Sequence, residues 1–79
     1  MTKIESIIGK EIKLVKMNEC RFDELEQPML HQDYIIADNI NRIFTICDYD
    51  PESNLYAIYA RGEKIWIYRN EFKVLIRNM

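Results

Sequence analysis

Three short runs of β-branched and aromatic residues between Arg42 and Tyr68 constrain this chain more than any other feature. Ile43-Phe44-Thr45-Ile46-Cys47 and Leu55-Tyr56-Ala57-Ile58-Tyr59-Ala60 flank the turn Asp48-Tyr49-Asp50-Pro51-Glu52-Ser53-Asn54, and Ile65-Trp66-Ile67-Tyr68 follows Gly62-Glu63. Such runs, broken by Pro, Asn, Asp and Gly, are the signature of an antiparallel meander. They set a mainly β fold class and place no reactive group in it.

The rest of the chain extends the pattern. Glu11–Met17 alternates lysines with apolar residues and predicts a first strand, Gln32–Ala37 a second, 42–49, 55–61 and 64–68 the next three, and Phe72–Arg77 a last. Ile4, Ile7 and Ile8 lie at helix spacing before Gly9, which predicts a short N-terminal helical turn. Between Asn18 and Leu30 the pattern dissolves into a long charged loop that Phe22 and Leu25 could pin, with a helical turn at Phe22–Glu26. With 79 residues there is room for one domain, residues 1–79. The expected architecture is all-β, a small five- to six-stranded SH3-like barrel, since closing the sheet removes its exposed edges. An OB-type barrel is the alternative, but no helix is legible between the third and fourth strands.

Lys13-Leu14-Val15-Lys16-Met17-Asn18, Ile46-Cys47-Asp48-Tyr49-Asp50 and Phe72-Lys73-Val74-Leu75 together resemble a group of small uncharacterised SH3-like proteins of bacteria and phages. The chain departs from that group where His31-Gln32-Asp33-Tyr34 replaces the usual glycines. The resemblance implies the barrel and brings no activity with it. An isoleucine-, lysine- and asparagine-rich composition poor in alanine matches AT-rich codons, as in a bacterium or its phage.

Chemistry-bearing patterns are few. Cys20 and Cys47 have no CxxC spacing and His31 stands alone, too few ligands for a structural zinc site. Cys47 is assigned to the core and Cys20 to the surface as a reduced thiol. Asp48, Asp50, Glu52 and Asn54 alternate as calcium-loop ligands do, but Ser53 and Tyr59 stand where the glycine and the bidentate acid belong. His31 has no spaced nucleophile, and two glycines cannot build a phosphate cradle. The expectation is no enzyme, no cofactor and no metal. No apolar run could span a bilayer and the opening residues are too charged for a signal peptide, so cytoplasmic is the default location.

Charge is segregated. Residues 18–54 hold nine acids and two bases, a net of −7, and the remainder nine bases and four acids, a net of +5. This predicts an acidic pole at the long loop and the Asp48–Glu52 turn. Lys3, Lys10, Lys13, Lys16, Lys64, Arg69, Lys73 and Arg77 would form the opposite pole, and such a field steers partners. The candidate protein-binding residues are Phe22, Asp23, Glu24, Glu26, Asp48, Tyr49, Asp50 and Glu52, and the plain alternative is an ordinary solvated face. A second candidate is single-stranded nucleic acid held by Lys64, Trp66, Tyr68 and Arg69, against which the net charge of −2 counts. Trp66 is assigned to the core because a small barrel needs large residues. Outside, beside Tyr49, it would line a groove for a cationic or proline-rich ligand.

Overall fold

The computed structural model describes residues 7–76. Alternation writes its strands directly. β1 (Glu11–Leu14) buries Ile12 and Leu14 and turns Glu11 and Lys13 outward. β2 (Ile43–Thr45) and β3 (Asp48–Asp50) are two pieces of one run, interrupted at Ile46-Cys47. β4 (Leu55–Ala60) and β5 (Glu63–Tyr68) form the longest hairpin, and β6 (Phe72–Val74) closes the chain. The strands make two antiparallel three-stranded sheets, ordered β2-β1-β6 and β3-β4-β5. Among the described residues no strand pairing zips the two sheets into a closed barrel.

The core lies between them. Ile12, Leu14, Ile46, Ile58, Ile65, Ile67 and Phe72 are buried together with Ile35 and Ile36, and Tyr56 joins its edge by a T-shaped contact with Phe72 at 5.4 Å. Isoleucine is the filling material, and that decides the side of β5. Ile65 and Ile67 are 2% and 0% exposed, so Trp66, expected in the core, faces outward and is half-buried, with Lys64 Nζ 5.1 Å from its ring centroid. Ile67→Ala is accordingly expected to cost about 2–5 kcal/mol, and Trp66→Ala clearly less, in urea denaturation.

The segment Gln32–Ala37, expected as a strand, is helical. α1 (His31–Asp38) buries Asp33 and Ile36, three apart, and Ile35 and Asn39, four apart, which is a helical face and not an alternating one. The strand-favouring Tyr-Ile-Ile triplet costs only a few tenths of a kcal/mol per residue in a helix (about 0.5). Fixed ends outweigh it. Asp33 Oδ2 accepts the Leu30 N–H at 3.1 Å, and Asn39 Nδ2 donates to the Ile35 carbonyl at 2.7 Å.

Three other expectations shift. Cys47 is exposed, because at the junction of β2 and β3 its neighbour Ile46 takes the inward position. The helical turn expected at 22–26 is instead a 3₁₀ turn at Glu19–Arg21. The last strand stops at Val74, after a 3₁₀ turn at Arg69–Glu71. The N-terminal helical turn falls mostly outside the described residues, although Ile7 is buried and Gly9 follows at a φ of 89°. No helix among the described residues is long and apolar enough to cross a membrane.

The β4–β5 connection is the two-residue turn Arg61-Gly62, with φ of 55° and 76°. Both values lie in the left-handed region that type I′ hairpins demand and that asparagine tolerates better than arginine. Arg61→Asn should raise stability by up to about 1 kcal/mol. It forfeits only an exposed ion pair with Asp38, and such pairs contribute little. A lower melting temperature would show that the Asp38 contact matters more than backbone strain.

Candidate functional site

The long loop is not loose. Asp23 Oδ1 accepts the backbone N–H groups of Leu25 and Gln27 at 2.8 and 2.9 Å, an Asx-type closure that turns the chain back on itself with Glu26 at a φ of 61°. The returning strand meets the outgoing one through the Phe22–Pro28 bridge and a Met29 N–H bond to the Arg21 carbonyl at 3.0 Å. Residues 21–29 are therefore a small two-stranded arm. Glu24 and Leu25 stand at its tip, both exposed, Leu25 at 80%.

Arg21 fastens this arm to the body. Its guanidinium is buried, 5% exposed, and donates from Nε and Nη2 to both oxygens of Glu71 at 2.6 and 2.8 Å. Nη1 donates to Asp33 Oδ1 at 2.6 Å, and Nη2 also reaches the Trp66 carbonyl at 2.9 Å. Glu71 in turn accepts the backbone N–H groups of Asn18 and Tyr68, each at 2.8 Å. One guanidinium and two carboxylates thus join the arm, α1, β5 and the turn before β6. Every buried side-chain polar atom among the described residues has a partner. Burial alone would raise the Glu71 carboxyl, but the bonds from Arg21, Asn18 and Tyr68 outweigh it and hold its pKa below the ordinary value. For Arg21 burial works in the opposite sense, and bonding to Glu71 and Asp33 raises its pKa regardless.

Outside this cluster the arm is acidic. Glu19, Phe22, Asp23 and Glu26 line an open depression of about 460 Å³. The structure thus brings Phe22, Asp23 and Glu26 to one place, with Glu24 beside them on the tip, and adds Glu19.

The other half of the expected acidic pole has different company. Asp48 is bonded to Lys64 Nζ at 2.8 Å, which lowers its pKa and raises that of the lysine. Asp50 accepts the Glu52 N–H and the Ser53 hydroxyl and so serves its own turn. Tyr49 stacks on Tyr56 at 4.6 Å and donates its hydroxyl to Asn54. Glu52 is exposed. Among the described residues no hydrogen bond, ion pair or ring contact joins this turn to the arm. No group of three His, Cys, Asp or Glu side chains there could hold a metal ion. No protein-family model, curated protein or solved structure matches the chain.

The basic pole is interrupted in the same way. Lys64 pairs with Asp48, and Arg61 with Asp38 at 2.9 Å, while His31 meets Glu63 at 2.8 Å. Lys3 and Arg77 lie outside the described residues. Of the alternative nucleic-acid set, Lys64, Trp66 and Tyr68 share the outward face of β5 by alternation. Arg69 sits apart in the following turn, 4.9 Å over the Phe72 ring. Tyr68 is further engaged: the neighbouring Cys20 thiol raises its pKa, and Arg21 lies 5.1 Å from its ring centroid.

Sequence reasoning missed Arg21, Asp33 and Glu71. A signal was present, since Arg21 is one of two bases in the acidic half and Glu71 one of four acids in the basic remainder.

Proposed function

We propose that this chain is a non-enzymatic protein-interaction module whose acidic arm docks on a basic site of a host protein, in the manner of a small cytoplasmic regulator or inhibitor encoded by a phage or mobile element. One observation carries the reading. The arm of residues 21–29 is held rigid by a buried guanidinium while Glu19, Asp23, Glu24 and Glu26 face solvent around Phe22 and beneath Leu25. A preformed arm loses little entropy on binding, its charge sets the encounter rate, and the apolar residues supply buried contact. The proposed architecture is an SH3-like barrel left open between its sheets. It is supported by the interrupted β2–β3 run shared between the two sheets and by the return of β6 to β1 after a 3₁₀ turn.

The test reverses charge without touching the turn. Asp23 is spared because it closes the arm. Glu19→Lys, Glu24→Lys and Glu26→Lys combined should keep the wild-type melting temperature and abolish recovery of a host partner by affinity capture. Undiminished recovery removes the proposal.

A second reading rests on the shared outward face of Lys64, Trp66 and Tyr68, a stacking platform for single-stranded nucleic acid. An amide-shift titration with a mixed-sequence single strand at low salt separates the two. Shifts on β5 support this platform, and their absence rules it out.

A further inference from the structure

The outer face of the β2-β1-β6 sheet carries an unusual row. Lys13 stands directly across from Lys73 on one side and from Ile43 on the other. Cross-strand neighbours have their Cβ atoms about 5 Å apart, and like charges so placed repel. Among the described residues neither lysine makes an ion pair within the chain, and Glu11 occupies the next row of the same face. Ile43 is 54% exposed beside them, and Lys16, just beyond β1, is exposed as well. The row is thus basic with an apolar end.

The complement of that row is on the same molecule. At the arm tip the exposed Leu25 is preceded and followed in the chain by the exposed acids Glu24 and Glu26. We infer that the arm of one copy docks on the Lys73–Lys13–Ile43 row of a second copy, Leu25 against Ile43 and the glutamates against the lysines. The inference rests on the arm being a docking element, as proposed above, and names a second copy of this chain as an occupant of its partner surface. Because arm and row are different surfaces, the contact is head-to-tail and leaves one free arm and one free row at the ends of each assembly. Its attraction is largely between exposed charges, so salt weakens it.

Sedimentation velocity across a concentration series tests this. Wild-type protein should form larger species as concentration rises at low salt, and high salt should dissolve them. Lys73→Glu should be monomeric while melting no lower than wild type, because it replaces a repelling cross-strand pair with an attracting one. Glu24→Lys combined with Glu26→Lys should be monomeric for the opposite reason. Mixing the two variants should give a one-to-one complex that stops there, since one supplies an intact arm and the other an intact row. A wild type that stays monomeric throughout, association that survives Lys73→Glu, or variants that do not pair on mixing would each overturn the inference. The first of these outcomes leaves the host-partner reading standing if charge reversal on the arm still abolishes capture. If capture also survives, both fall.

Discussion

Arg21→Ala should leave the domain largely unfolded at physiological temperature. Removing the guanidinium strands the carboxylates of Asp33 and Glu71 in the interior, 1% and 0% exposed, with no cation between them. Breaking a buried ion pair from one side costs about 3–5 kcal/mol. A domain this small has about 5 kcal/mol to lose. Urea denaturation monitored by circular dichroism gives the answer, and a loss below about 1 kcal/mol would mean the cluster is hydrated in solution. Lysine should not rescue it, because an ammonium cannot make the forked contact with Glu71 and reach Asp33 and the Trp66 carbonyl as well. Nor should an all-apolar replacement of Arg21, Asp33 and Glu71. Some buried ion clusters tolerate that exchange, but these carboxylates also accept the N–H groups of Asn18, Leu30 and Tyr68, and an apolar replacement would take those acceptors away.

Acid should unfold the protein through the same cluster. Glu71 has its folded pKa depressed below the ordinary glutamate value of about 4.3. In the unfolded chain the group therefore binds its proton first as pH falls. The stabilisation is whole above the unfolded value and is lost as pH drops through the folded one. The melting temperature is expected to hold from neutrality to about pH 5 and to fall steeply below about pH 4. Glu71→Gln should be less stable at neutral pH and should flatten that fall, since the group that titrates is gone. An equally steep acid transition in Glu71→Gln would move the cause to other carboxylates.

What could be read from residues alone divides along the range of the interactions. β1, β4, β5 and the acidic character of residues 22–27 follow from alternation and from the density of Asp and Glu, whereas the closure of that loop by Asp23, in place of the helical turn expected at 22–26, appears only in the structure. α1 does not. Its Tyr34-Ile35-Ile36 core is strand-like in isolation, and the helix is stabilised by Asp33 bonding to Leu30 and to Arg21, the latter a partner 12 residues away. The side of β5 was a choice between Trp66 and two isoleucines, and only the close packing of Ile12, Ile58 and Phe72 settles it. The cluster of Arg21 with Glu71 spans 50 residues, so no local pattern announces it. The charge segregation visible along the chain is likewise altered by folding: Asp48, Asp38 and Glu63 are taken up by cross-segment pairs, and the arm remains as the acidic feature.

Amide hydrogen exchange at Asn18 and Tyr68 tests most directly whether the arm is locked to the body through Glu71. Both N–H groups donate to that carboxylate, one at the root of the arm and one at the end of β5. They should exchange as slowly as the amides of the β4–β5 hairpin at neutral pH and lose that protection in Glu71→Gln. Exchange at Asn18 as fast as at the exposed tip residue Glu24 would contradict the account, because the arm would then swing free of its anchor.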